Sequence, residues 1–156
     1  MYSIQLVDWT SAASQIKEVR EKVFVIEQRL DWSLVEDSYD TDSLHVLALS
    51  AEGNSIGCGR IKPSGHLGRL AVLLPWRHVG VGSQIVQTLV GVAGQANFNE
   101  LHLHSTLNLM NYFSRFQFVP NGPVFMEWGR PTQRMIRPLV SPHVTVAQRQ
   151  FAGTTR

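Results

Sequence analysis

The chain is poor in cysteine, in long apolar runs and in net charge. Cys58 is its one cysteine in 156 residues, so no internal disulfide can form, and a reducing compartment, the cytoplasm, is the expected location. The longest apolar stretches, such as Val23–Ile26 and Leu70–Pro75, fall far short of the roughly 18 residues needed to span a bilayer. The N-terminal Met1-Tyr2-Ser3-Ile4-Gln5 lacks the basic start and apolar run of a secretory signal, so no membrane partner is expected. A net charge of +2 is too small to argue for nucleic acid. His102 and His104 share a strand face, but no spaced cysteine or carboxylate joins them, so no metal is expected.

What is present fits one domain. With 44% hydrophobic residues, the chain can bury a real core, whereas two domains would each be marginal. Residues 1–140 are expected to form that domain and residues 141–156 a weakly structured tail. Charge is unevenly placed: of 12 acids, half lie between Glu27 and Asp42, and none follows Glu127 in a stretch carrying Arg130, Arg134, Arg137, Arg149 and Arg156. The acidic segment is expected to be an ordered loop with a helical turn, able to attract cations.

Periodicity predicts the elements. Tyr2–Leu6 reads as a strand. Beyond an N-cap at Thr10 or Ser11, Ile16, Val19, Val23 and Ile26 recur at helical spacing, predicting an amphipathic helix to about Gln28. His45–Ser50, Ser55–Lys62 and His66–Val72 read as an antiparallel meander. A helix from Val81 or Gly82 to about Asn97, a strand Glu100–Ser105, a short helix Leu107–Phe116 and a hairpin of Val124–Trp128 with Gln133–Leu139 follow. The order predicts an α+β fold, a mixed sheet with helices on both faces.

The segment Leu70-Ala71-Val72 through Arg77-His78-Val79-Gly80-Val81-Gly82-Ser83 carries the chemistry. A strand ends, a turn follows, and a helix begins at glycines whose missing Cβ atoms let a pyrophosphate approach the main chain. Free amides and the helix dipole make such an end an anion site, to which Arg77 and His78 can add donors. No Gly-Lys-Ser/Thr follows, which excludes a Walker loop, and a dinucleotide fingerprint would need a third glycine and a strand-end acid.

This loop resembles the Arg/Gln-x-x-Gly-x-Gly/Ala loop of the GNAT acetyltransferases. Arg20–Gln28, Glu36-Asp37-x-x-Asp40, His45, Gly57-Cys58-Gly59-Arg60 and Glu127-x-Gly129-x-Pro131 with Met135 are similar to its small bacterial ElaA-like branch. The resemblance implies a six- to seven-stranded, mainly antiparallel sheet splayed between its fourth and fifth strands, with acetyl-coenzyme A as co-substrate in the gap. Leu70, Ala71 and Val72 would meet the pantetheine arm, Arg77, His78, Val79, Gly80, Val81, Gly82 and Ser83 the pyrophosphate, and Asn108 and Asn111 are further cofactor contacts. It implies an N-acyltransferase acting on a small-molecule or lysine amine. The acidic segment hints that this acceptor is cationic. Oligomeric state is left open, with a homodimer compatible.

Acetyl transfer needs a neutral amine, a donor for the tetrahedral oxyanion and a proton for the thiolate. The Val72 amide is the oxyanion donor that the resemblance implies. Glu27, Glu36, Asp37, Asp40, His104 and Glu127 are candidate bases. Glu27 leads because it follows an apolar run, where burial would raise its pKa. The family commonly supplies the proton from Phe-Tyr-x-x-x-Gly-Phe, but here the register reads Tyr112-Phe113-Ser114-Arg115-Phe116-Gln117-Phe118. The tyrosine is displaced by one place, about 100° on a helix. Tyr112 on a shifted helix, Ser114 or a water, or no side chain at all then remain as proton sources. The displacement also leaves room for a non-catalytic acyl-coenzyme A-binding module, while a nucleotide-binding regulatory domain is a third alternative.

Overall fold

The computed structural model describes residues 1–139; the expected tail 141–156 lies outside them. Strand β1 (Tyr2–Val7) leads into helix α1 (Trp9–Arg20), which runs on as a π-helical segment, Glu21–Glu27. The cap is Asp8, in the extended conformation, two residues before Thr10 and three before Ser11, the expected candidates. Ser11, one of the two, instead donates its hydroxyl back to the Asp8 carbonyl (3.2 Å). Helix α2 (Trp32–Val35) and a 3-10 turn, Asp40–Asp42, order the acidic segment as expected.

Strands β2 (Leu44–Ser50), β3 (Ser55–Ile61) and β4 (Leu67–Val72) complete an antiparallel sheet in the order β1-β2-β3-β4. After a 3-10 turn, Leu74–Trp76, come helix α3 (Val81–Gln95), strand β5 (Glu100–Thr106) and a second 3-10 turn, Leu107–Leu109. Helix α4 (Met110–Ser114) follows, then β6 (Val119–Pro120), β7 (Phe125–Glu127) and β8 (Arg130–Pro138). The last four strands pair antiparallel, with β8 between β5 and β6 and also bonded to β7. Eight strands thus replace the expected six or seven. The additional one, β6, is two residues long and has no periodicity to read.

The first sheet is packed on both faces. Ala12, Ile16, Val19 and Val23 of the first helix lie with Leu47, Cys58 and Ala71 on one side. Val46, Ala48, Ile85, Val86 and Leu89 form the core on the other. Each fully buried Ile or Leu contributes about 1.5–3 kcal/mol relative to exposure. Glycines set how close α3 lies: a Cβ at Gly59 would stand 2.9 Å from Ile85 Cγ2 and 3.0 Å from Leu89 Cδ1. Cys58 is buried in this strand, its Sγ facing the Arg69 carbonyl at 3.7 Å, and burial pushes its thiol up to about 11.

A buried ion network ties the acidic segment to the sheet. Arg20 holds both Asp40 oxygens (2.8 and 3.0 Å). Arg60 bridges Asp40 (2.9 Å) and Asp37 (2.8 Å). Arg69 donates to the Val35 carbonyl (2.9 Å) and to Asp37 (3.3 Å). His45 Nε2 lies 2.7 Å from the Asp40 carbonyl oxygen, which can only accept, so that ring nitrogen is the donor. The expected attraction for external cations is therefore corrected: Asp37 and Asp40 are neutralised inside the fold, Asp31 caps α2 through the Ser33 amide, and Glu36 accepts from Trp32 Nε1 (2.8 Å).

Two outcomes follow for stability. Asp40→Ala leaves the guanidinium groups of Arg20 and Arg60, 2% and 3% exposed, without their shared partner. A loss of about 3–5 kcal/mol is expected, measured by urea denaturation. Acid is the second test. The Arg60 hydrogen bonds hold Asp37 well below the usual carboxylate range. For Asp40, burial pushes upward but its bonds to Arg20 and Arg60 outweigh it. Burial lowers the His45 pKa. In every case the unfolded chain binds more protons as pH falls, so stability drops below about pH 6.5 through His45 and again below about pH 4 through the aspartates. A denaturation midpoint that stays constant from pH 7 to pH 3 would contradict this.

Candidate active site

The two sheets part between β4 and β5. They touch as parallel strands only at His66 and His102, where the His102 amide donates to the Gly65 carbonyl (3.0 Å). Gly65 is required there, with φ +90° and room for a Cβ only 2.7 Å from the Glu100 carbonyl. Beyond this point β4 follows β3. Arg69, at φ +50°, sits where the β3–β4 register shifts, a bulge that bends the strand away.

Hydrogen-bond alternation decides which groups face the gap. The Leu73 amide donates to the Ile56 carbonyl (2.9 Å), and Ala71 stands opposite Cys58. In an antiparallel ladder these are the bonded pairs, so Leu70 and Val72 turn their main-chain groups to the free edge. Leu70 and Val72, expected as contacts of the pantetheine arm, thus lie along that edge. Ala71 does not: its main chain belongs to the β3 ladder and its side chain is buried under α1.

The loop after β4 meets α3 at Gly80, whose φ of +92° no side-chain cap accompanies. The Gln84 amide, donating to the Gly80 carbonyl (3.0 Å), is the first in the helix with a main-chain acceptor. The amides of Val81, Gly82 and Ser83 stand ahead of it, at the positive end of the helix dipole. A Cβ on Gly82 would be 3.3 Å from the Tyr112 hydroxyl and 3.6 Å from Val72 Cγ2, so this residue keeps the passage from loop to gap open. His78, with φ +62°, and Val79 lie exposed on the loop.

Arg77 is occupied differently from expectation. Its guanidinium pairs with both carboxylate oxygens of Glu27, and its Nε donates to the Val72 carbonyl (2.8 Å). Glu27 in turn is exposed, and the Arg77 hydrogen bonds lower its pKa, the reverse of the raised value expected of a buried base. The apolar run ahead of it winds as a π-helix, which buries Val23 and Phe24 and leaves Glu27 outward.

On α4, Tyr112 and Phe113 face different ways. The Tyr112 hydroxyl lies 3.2 Å from Ser83 Oγ, at the start of α3, while Phe113 lines the gap. The Tyr112 hydroxyl thus sits beside Gly82, at the α3 end of the gap. Ser114 bonds the Met110 carbonyl (2.9 Å). Asn108 and Asn111 are exposed at the α4 end of the gap.

The gap itself is a hollow of about 190 Å³ walled by Phe24, Leu70, Leu103, Leu109, Phe113 and Trp128, with His66, His104, Ser105 and Glu127 supplying polar groups. His104 Nδ1 is 2.7 Å from Glu127 Oε2. Its ring packs edge-on to His66 (4.5 Å between centroids) and Phe125 (5.1 Å). His66 also packs on His102 (4.8 Å), and burial drives its pKa down to about 3. Among the described residues no three ligating groups converge on a metal position. His66 and Trp128 have no signal in the sequence that marks them for the site. Their convergence is long-range, and only the displaced tyrosine register pointed toward Phe113.

The family profile of an acetyltransferase (GNAT) domain matches residues 12–139. The chain belongs to this family. The GNAT domain is 28% identical over 120 residues to the uncharacterised protein YyaT of Bacillus subtilis (strain 168), covering 73% of this chain and 80% of YyaT. Among solved structures it is similar to Escherichia coli ElaA, with TM-score 0.77 and 25% identity, covering 88% of this chain and 99% of ElaA. An acyl-CoA N-acyltransferase from Pseudomonas aeruginosa superposes with TM-score 0.74 at 22% identity, over 88% of this chain and 98% of that one. The fold is the GNAT fold, and acyl-coenzyme A-dependent transfer is the general activity of the family. No helix among the described residues is long and apolar enough to cross a membrane.

Gly82→Val tests the passage. Its side chain would crowd Tyr112 and Val72 and shield the helix amides, so acetyl-coenzyme A affinity is expected to fall at least about tenfold with a native circular dichroism spectrum. Unchanged affinity by calorimetry would place the anion elsewhere.

Proposed function

We propose that this GNAT domain transfers the acetyl group of acetyl-coenzyme A to a primary amine. The observation carrying this reading is the conjunction of free α3 amides at Val81–Ser83 with a one-sided β4 edge, which meet where Gly82 lies against Val72. The amides and the helix dipole would hold the pyrophosphate. The pantetheine would run along Leu70 and Val72 as an added strand, its amides pairing with theirs. Arg77 would then exchange Glu27 for phosphate or leave the Val72 carbonyl to the pantetheine. Tyr112, through Ser83, braces the loop. The Val72 amide is the candidate oxyanion donor, because it faces the gap and the β3 ladder does not use it.

The acceptor amine would approach from the side of Glu127 and Trp128. Support for a cationic acceptor rests on Glu127, since the acids of the segment before β2 have partners within the chain or lie away from the gap. No metal is invoked. A second reading, a non-catalytic acyl-coenzyme A-binding module, is favoured by one observation only, the phenylalanine at position 113 where the family commonly carries tyrosine.

The two are separated by measuring coenzyme A release from acetyl-coenzyme A with a panel of primary amines. Transfer predicts release that rises with amine concentration and saturates. Binding of acetyl-coenzyme A without amine-dependent release would establish the module instead.

A further inference from the structure

We propose that His104, oriented by Glu127, is the single proton carrier of the reaction, taking the proton from the acceptor amine and returning it to the coenzyme A thiolate. The assignment rests on the transferase reading above.

Position comes first. A second hollow of about 170 Å³, reaching Gln28, Leu30, Arg130 and Thr132, lies beside the one in the gap. Five residues line both: His104, Thr106, Leu109, Glu127 and Trp128. They form the partition between the thioester side, marked by Leu70 and Phe113, and the far side open to an acceptor. Of the five, only His104 and Glu127 carry an ionisable side chain.

Geometry then divides their roles. The carboxylate of Glu127 accepts the hydrogen on His104 Nδ1 (2.7 Å), which leaves Nε2 with its lone pair. A ring held in that tautomer is a base at Nε2 and, once protonated, an acid at the same atom. Alternative donors have other partners. Tyr112 is held at Ser83, Ser114 at its own helix, and Phe113 brings no hydrogen to the gap.

The surroundings suit a single carrier. His66, edge-on to His104, is kept neutral by burial, with its pKa down to about 3. His102, two residues away on β5, is also lowered by burial. Across the ladder Arg134 stands opposite His104, but its guanidinium reaches Asn121. Glu127 is therefore the one anion bonded to the ring; the cations beside the pair are Arg134, opposite His104, and Arg130, opposite Glu127 and in the wall of the second hollow.

The step balances. The neutral amine nitrogen attacks the acetyl carbon and a C–N bond forms. The nitrogen proton passes to His104 Nε2, the tetrahedral intermediate collapses with breakage of the C–S bond, and Nε2 returns the proton to the thiolate. Products are the acetylated amine and coenzyme A, with the ring back in its starting tautomer.

The test compares wild type with His104→Gln and Glu127→Gln, each checked by acetyl-coenzyme A calorimetry. His104→Gln is expected to bind acetyl-coenzyme A within about twofold of wild type, to lose about 100-fold or more in kcat, and to lose the histidine limb of its kcat–pH profile. Added imidazole should restore part of the rate. Glu127→Gln should lose about tenfold in kcat while retaining that limb, as expected of a residue that positions the base. His104→Gln with kcat within threefold of wild type and an unchanged profile overturns the assignment while leaving the transferase intact. If that variant does not fold, unchanged kcat in Glu127→Gln overturns it instead. A wild-type protein that binds acetyl-coenzyme A but yields no free coenzyme A with any amine removes the transferase reading, and the carrier with it.

Discussion

Strand β4 has a neighbour along one edge and open space along most of the other. Main-chain amides in a protein interior need partners, so an edge left free beside a packed core is sustained only where water or a ligand meets it. Two local devices produce that edge. The Gly65 contact with Glu100 and His102 pins the two sheets together at one end, and the Arg69 bulge turns β4 away beyond it. Everything assigned to the site, from the α3 amides to the His104–Glu127 pair, is positioned by this divergence.

The ion network supports the same divergence from the outside. Arg69 is the bulge residue, and it is also bonded to Val35 and Asp37 and stacked over Trp128, 5.5 Å from the ring centroid. One side chain thus joins the acidic segment, the bent strand and the partition residue. Buried ion pairs contribute little net stability compared with apolar packing, but they fix geometry because a misplaced charge is so costly. Here they fix where the segment before β2 crosses the sheet.

The fold was largely legible because its elements are long and periodic: Ile16, Val19 and Val23 on one helix face, Ile85 and Leu89 on another, and the alternation of Leu101 and Leu103 with two histidines. The glycine turn that opens α3 was legible too, since its glycines act locally. What the sequence hid was tertiary. Nothing near Glu27 announces that Arg77, fifty residues on, will neutralise it, or that a π-helical turn will face it outward. The acids at 37 and 40 looked like a solvated, cation-attracting run, whereas their arginine partners come from a helix and two strands. The change from Tyr112 to Phe113 in the gap followed from helix geometry, but the alternative partner of the tyrosine, Ser83, did not.

The burial of Cys58 has a practical side. Its thiol lies under the Arg69 carbonyl with its ionisation suppressed, and the thiolate is the form that attacks disulfide reagents. Since it is the chain's one cysteine, a chromogenic disulfide added to a folded sample finds no reactive sulfur on the protein. Colour developed during turnover then belongs to the liberated carrier alone, and a slow rise without substrate would report unfolding.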